Sequence, residues 1–161
     1  MVPLVKHACG GVRMFVRAPF LILVLCATTL AGAAQEATQT VWDGVYTEEQ
    51  AARGAVLYRQ ACRKCHFGDL SGAGDPDASP GEVPPGLVGF AFSSRWNELS
   101  LADLFLAIAR GMPSDRPGTL TPQATADVVS YILIRNAFPT GSKELPPEPE
   151  RLEKILISNQ R

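Results

Sequence analysis

Apolar positions along the chain form one uncharged run near the start and then three stretches at helical spacing, divided by segments rich in Gly and Pro. The early run covers 20–30. Residues 35–46 are polar and unpatterned, an extended lead-in whose Trp42 and Tyr46 can pack on the domain. Thr47 ahead of Glu48, Glu49 and Gln50 predicts a helix start, with an N-cap, a capping-box partner three residues on, and two carboxylates at the positive end of the helix dipole. That helix is expected to reach about Cys62. Gly54, Leu57, Tyr58 and Ala61 share one face of it, and Gly54 admits a second backbone at close range.

From 68 to 89 the composition turns to Gly, Pro, Asp and Ser, which neither a helix nor a central strand tolerates. A loop of this length in a compact domain needs something to organise it. Order returns with Phe90, Ala91, Phe92 and Trp96. Ser100, with Asp103 three residues on, opens a second helix over 101–110, whose Leu101, Leu104, Phe105 and Ile108 face one way. Gly111 is expected to stop it. An irregular stretch over 114–120 leads to Thr121, an N-cap with Pro122 at the first helical position. This third helix runs to about Asn136 and carries apolar residues on several sides, so it should be largely buried. Phe138 and Pro139 close it. Residues 143–150 read as an exposed, acidic, proline-rich arm, and 151–157 as a short strand or helix that packs back. The pattern is all-α, with three main helices and long loops.

A length of 161 residues fits one core, and 15 basic against 16 acidic residues give no reason to expect nucleic acid as a partner. The balance changes once the start is read as an export signal. Lys6, Arg13 and Arg17 precede the apolar run, and Ala31, Gly32, Ala33 and Ala34 follow it, which predicts cleavage near Ala33 or Ala34 and a periplasmic product. An uncleaved anchor is the competing reading, but the run falls short of the ~20 residues a spanning helix wants. Stable membrane insertion after cleavage is not expected. Loss of 1–34 leaves 12 basic residues against 16 acidic ones, a formal −4. It also removes Cys9, Cys26, His7, Met1 and Met14. The product keeps Cys62 and Cys65, one histidine, His66, and one methionine, Met112.

Those survivors carry the chemistry. Cys62-Arg63-Lys64-Cys65-His66 is the attachment signature of c-type haem. On one helical turn, two thiols three residues apart can each add to a vinyl group of the same porphyrin, and the next residue then offers an imidazole to the iron. Three other readings use the same residues. Zinc needs four ligands, and the product left after loss of 1–34 offers no second Cys pair or second His. A thioredoxin-like redox pair wants a preceding strand and a βαβ pattern. A plain disulfide leaves His66 and the long loop without a role. Met112, flanked by Gly111 and Pro113 on a stiffened loop well separated from His66, is the candidate for the opposite iron position.

With these residues in view the chain resembles the class I cytochromes c over residues 47 to 138. The resemblance rests on Gly54 and Tyr58 ahead of the attachment motif, on Gly111-Met112-Pro113 beyond a middle helix, and on an apolar last helix with Tyr131. It implies a cytochrome c-like fold, with three main helices and long loops wrapped around one haem c, and a first and last helix that cross closely. It implies domain limits of 47–139, with 35–46 as a lead-in and 140–161 as an arm. It also implies that the stretch Pro84-Pro85-Gly86-Leu87 offers a backbone carbonyl to the second nitrogen of His66, with Pro85 and Leu87 beside the cofactor. Trp96, preceded by Arg95, is similar to the family's donors to the haem propionates; ordinary packing is the other reading of Trp96. Cofactor contacts are thus expected from Cys62, Cys65, His66, Pro85, Leu87, Trp96 and Met112, with His66 and Met112 as metal ligands. The implied function is electron transfer rather than catalysis, by a periplasmic carrier whose partners are redox proteins, a dehydrogenase as donor and an oxidase or another cytochrome as acceptor. The alternative is a haem-bearing subunit of a larger, quinoprotein-type dehydrogenase, held through the arm.

Overall fold

A computed structural model describes residues 39–72 and 83–160. The export segment expected over 1–34 lies outside the described residues.

The described residues are mostly helical. α1 spans Glu48–Ala61 and begins where Thr47 accepts a hydrogen bond from the Gln50 backbone. The expected capping box is only half formed, because the Gln50 side chain turns away from the helix start. It is fully buried and grips the backbone of Leu145, with Nε2 donating to the carbonyl at 3.0 Å and Oε1 accepting from the N–H at 2.7 Å. α2, Arg63–His66, follows after one residue, and α3 spans Gly89–Trp96. α4, Leu101–Gly111, opens on a complete capping box between Ser100 and Asp103. α5, Pro122–Arg135, opens on Thr121 with Pro122 in its first turn.

The three long helices thus start where local capping chemistry places them. α3 was not expected as a helix. No side chain caps it at Val88, and Ser93 and Ser94 return their hydroxyls to the carbonyls of Phe90 and Ala91. Its first turn therefore carries no polar start signal, although Phe92 and Trp96 are buried. The end of α4 also differs from expectation. Gly111 is the last helical residue, and the chain leaves the helix at Met112, which is extended with φ −121 and ψ 152. Pro113 accounts for this, since a proline forces its predecessor out of the helical region.

α1 and α5 meet backbone to backbone. A Cβ on Gly54 would fall 1.8 Å from the carbonyl oxygen of Asp127, so only glycine permits the approach. The close crossing implied by the class I resemblance is present. Around it the rings of Tyr58 and Tyr131 lie 5.2 Å apart, and Arg53 forms a two-pronged pair with Asp127, with both N–O distances at 3.0 Å.

The two flanks are part of the same fold. Residues 143–150 were expected as an exposed arm, yet Leu145 is buried, because Gln50 pins its backbone and Arg53 reaches Glu144 at 2.8 Å. Beyond it α6, Pro149–Leu152, and β2, Ile155–Leu156, bury Leu152, Ile155 and Ile157. β2 pairs in parallel with β1, Gln39–Thr40, in the register Gln39 with Ile155. Trp42 donates its indole N–H to the Ser158 carbonyl at 2.8 Å and sets its ring edge-on to Phe138. Lead-in and arm therefore close on each other, and Val41, Val45 and Tyr46 from the lead-in lie in the core. Among the described residues no helix is long and apolar enough to cross a membrane.

Candidate functional site

The site is built on the end of α1. Cys62 donates its N–H to Tyr58 as the helix closes, and its carbonyl then accepts from Cys65 at 3.1 Å and His66 at 3.0 Å. Residues 62–66 are thereby one tight turn. Side chains three and four apart on such a turn lie on the same side, so both thiols and the imidazole are offered together. The two cysteines are free thiols, Cys62 half-buried and Cys65 exposed. Burial, followed by the neighbouring Cys65, pushes the Cys62 thiol up to about 11. The thioredoxin-like reading wanted a preceding strand, and the motif instead follows directly on α1. Among the described residues no group of three or more His, Cys, Asp and Glu side chains is arranged to hold a metal ion, which leaves a zinc reading without its ligands.

After His66 the chain turns sharply. Phe67 takes φ 61, Leu70 φ 65 and Gly72 φ 60, all left-handed. The buried Tyr58 hydroxyl steadies the reversal, lying 2.7 Å from the Phe67 carbonyl and 3.2 Å from that of His66. Asp69 accepts from the Ser71 N–H at 3.0 Å, and that bond holds its carboxyl below the usual carboxylate range.

This turn receives the proline-rich stretch 84–87. Leu87 donates to the Leu70 carbonyl at 2.8 Å. Gly72 and Gly86 let the two segments touch, since a Cβ on Gly72 would lie 2.3 Å from the Pro84 oxygen and one on Gly86 2.6 Å from the Ser71 oxygen. As a result Pro85 presents its carbonyl oxygen 3.0 Å from His66 Nδ1. A carbonyl can only accept, so Nδ1 carries the hydrogen, and in the neutral tautomer that this selects the lone pair is on Nε2. The buried ring is left with one nitrogen free to bind a metal.

Cys62, Cys65, His66, Pro85 and Leu87 form one cluster. Trp96 and Met112 come from other elements and share no hydrogen bond with that cluster among the described residues. Trp96 is buried at the end of α3, with the Arg95 guanidinium 5.5 Å from its ring centre. Met112 is half-buried against the core where α4 ends, its N–H bonded to Ile108 at 2.9 Å. One member of the site escaped sequence reasoning. Asn136, which caps the end of α5, donates its side-chain amide to the Leu87 carbonyl at 2.9 Å and accepts from the Gly89 N–H at 3.0 Å. Its partners lie nearly fifty residues upstream, and no local spacing announces them.

The donor set suits a covalently held haem: two unpaired thiols on one turn, and a buried imidazole of fixed tautomer with Nε2 available. No curated protein and no solved structure matches the chain. Residues 49–132, a little over half of the chain and running from the first turn of α1 into α5, match the family described as cytochrome c oxidase, cbb3-type, subunit III; the chain belongs to this family and carries a c-type cytochrome domain.

Proposed function

We propose that this chain is an exported, single-haem electron carrier, with haem c attached through Cys62 and Cys65 and its iron bound by His66 and Met112. The observation that carries the reading is the His66 ring, whose Nδ1 is committed to the Pro85 carbonyl one residue after two unpaired thiols. When bound, haem c supplies an iron that alternates between ferric and ferrous. The chain's own residues do the rest. Cys62 and Cys65 fix the cofactor's place. Pro85 orients the imidazole and raises its basicity by accepting from Nδ1–H. Met112 would hold the group through a soft thioether, which favours the ferrous state. Trp96 supports a second contact, because its indole N–H has no hydrogen-bond partner among the described residues and can donate to a haem carboxylate.

With His66 and Met112 both holding the group, it would offer outer-sphere electron transfer rather than a place for a substrate. The partners are other redox proteins, a dehydrogenase as donor and an oxidase or second cytochrome as acceptor, meeting the carrier in the periplasm through a small transient interface. A second reading, a fixed subunit of a larger redox complex, draws on the family's own description as an oxidase subunit. Contact through the arm would fall on its exposed charged residues, such as Glu148, Glu150 and Glu153, since Leu145, Leu152, Ile155 and Ile157 are buried in the fold itself. Size-exclusion chromatography of the native material separates the two, a lone monomer favouring the carrier and a large co-eluting partner the subunit.

Carbon monoxide tests the ligand set. The reduced protein should not bind it, whereas Met112→Ala should keep its covalent haem, bind carbon monoxide readily and show a lower reduction potential. Ready binding by the unmodified protein would remove Met112 from the iron.

A further inference from the structure

We infer that Asn136 is a positioning residue for the His66 imidazole, acting through the proline-rich stretch; the inference rests on the haem reading above. The segment 84–89 is poorly able to hold itself. Pro84 and Pro85 have no N–H to donate, so they cannot anchor the stretch from their own backbone. Three backbone groups fix it instead: the Leu87 N–H on Leu70, the Leu87 carbonyl, and the Gly89 N–H. The last two both end on the Asn136 amide. The same Nδ2 group also donates to the Ile132 carbonyl at 2.9 Å, which ties the side chain to the last turn of α5.

The amide therefore works as a bracket between a rigid helix and a loop that lacks donors of its own. Leu87 is two residues from Pro85, whose carbonyl oxygen sits on His66 Nδ1. A shift of a few tenths of an ångström at Leu87 passes directly to that bond. The bond controls how much electron density the ring gives the iron, because a carbonyl accepting from Nδ1–H makes the imidazole a stronger donor and stabilises ferric iron. Loosening the bracket weakens the ligand and raises the reduction potential. A residue that only capped α5 would alter stability and leave the potential alone.

The test compares the haem-loaded full chain with three variants. Asn136→Leu removes all of the side-chain bonds at similar volume. Asn136→Asp keeps the acceptor for Gly89, loses the donor to Leu87, and disturbs folding less. Val129→Ala loosens α5 from within the core and leaves the Asn136 bonds to Leu87 and Gly89 in place. The readouts are the reduction potential and the exchange rate of the His66 Nδ1 proton, followed by nuclear magnetic resonance in the ferrous protein. Asn136→Leu should raise the potential and speed exchange roughly tenfold, the order expected when one restraining hydrogen bond is lost. Asn136→Asp should fall between it and the unmodified protein, and Val129→Ala should lower thermal stability with neither readout moved. If Asn136→Leu and Asn136→Asp lose stability while potential and exchange stay at the unmodified values, Asn136 is a helix cap and the inference fails. An unmodified protein without haem would instead overturn the haem reading, and this inference with it.

Discussion

Several buried or part-buried polar side chains in this protein end on the backbone of another segment. The Tyr46 hydroxyl donates to the Phe138 carbonyl at 2.6 Å, Tyr58 reaches the carbonyls after the attachment motif, Gln50 holds Leu145 and Asn136 holds Leu87. Each bond satisfies a loop group that burial would otherwise leave unpaired. Burial pushes the Tyr46 phenol from 10.0 up to about 12. The folded protein thus keeps this proton where the unfolded chain releases it, so the associated stability is complete below pH 10 and is lost as pH rises to about 12. Tyr46→Phe should cost about 1–3 kcal/mol at neutral pH, from the unpaired Phe138 carbonyl. It should also flatten the loss of stability over that alkaline window, with Tyr58, shifted the same way, supplying the remaining slope. Urea unfolding of both proteins on either side of pH 10 checks this, and parallel curves would contradict it. At this scale the caps at Thr47, Ser100 and Thr121 were legible because donor and acceptor lie within a few residues of each other. Gln50 and Asn136 were not, because their partners are set by how the chain folds over 95 and 49 positions.

Among the elements, the contact of α1 with α5 governs where the attachment turn sits, since α1 runs straight into it. Gly54 is what allows the contact, and it was legible as a gap in an otherwise filled helix face. Gly54→Ala would drive a methyl group into the Asp127 carbonyl, a backbone atom that cannot swing aside. The helices would have to part, with loss of the Arg53–Asp127 pair and of the Tyr58–Tyr131 contact. The expected cost is on the order of 3 kcal/mol or more, although alanine is the better helix former. Thermal unfolding of this variant should show a clear loss, and a neutral or stabilising result would mean that the helices are not held at this distance. α3 was missed because eight residues without a capping side chain or a long apolar period give little to read, and the helix is fixed by burial of Phe92 and Trp96.

At the level of the whole molecule, the sequence suggested a domain over 47–139, a lead-in whose Trp42 and Tyr46 can pack on it, an exposed arm over 143–150, and a short strand or helix over 151–157 that packs back. The structure draws both ends in. β1 pairs with β2, Arg53 links α1, α5 and Glu144, and the apolar side chains at 145, 152, 155 and 157 complete the core. Proline and glutamate in 143–150 hid Leu145, which no spacing announces, whereas 151–157, with Leu152, Ile155 and Ile157, was expected to pack back; all four of these side chains are buried. Their burial contributes on the order of 6–12 kcal/mol as an upper bound, comparable with the 5–15 kcal/mol of an ordinary domain. A chain ending at Pro139 should therefore lose cooperative unfolding at ambient temperature. A sharp transition near that of the full protein would show that the arm is dispensable.

The central claim is that Cys62 and Cys65 are joined to one haem whose iron is bound by His66. The most direct measurement is the intact mass of the exported product, read together with its visible spectrum and a titration of its thiols. The account predicts a red protein, heavier than its polypeptide by one haem, with no thiol left to titrate. A colourless product at polypeptide mass, with both cysteines reactive or joined to each other, would contradict it.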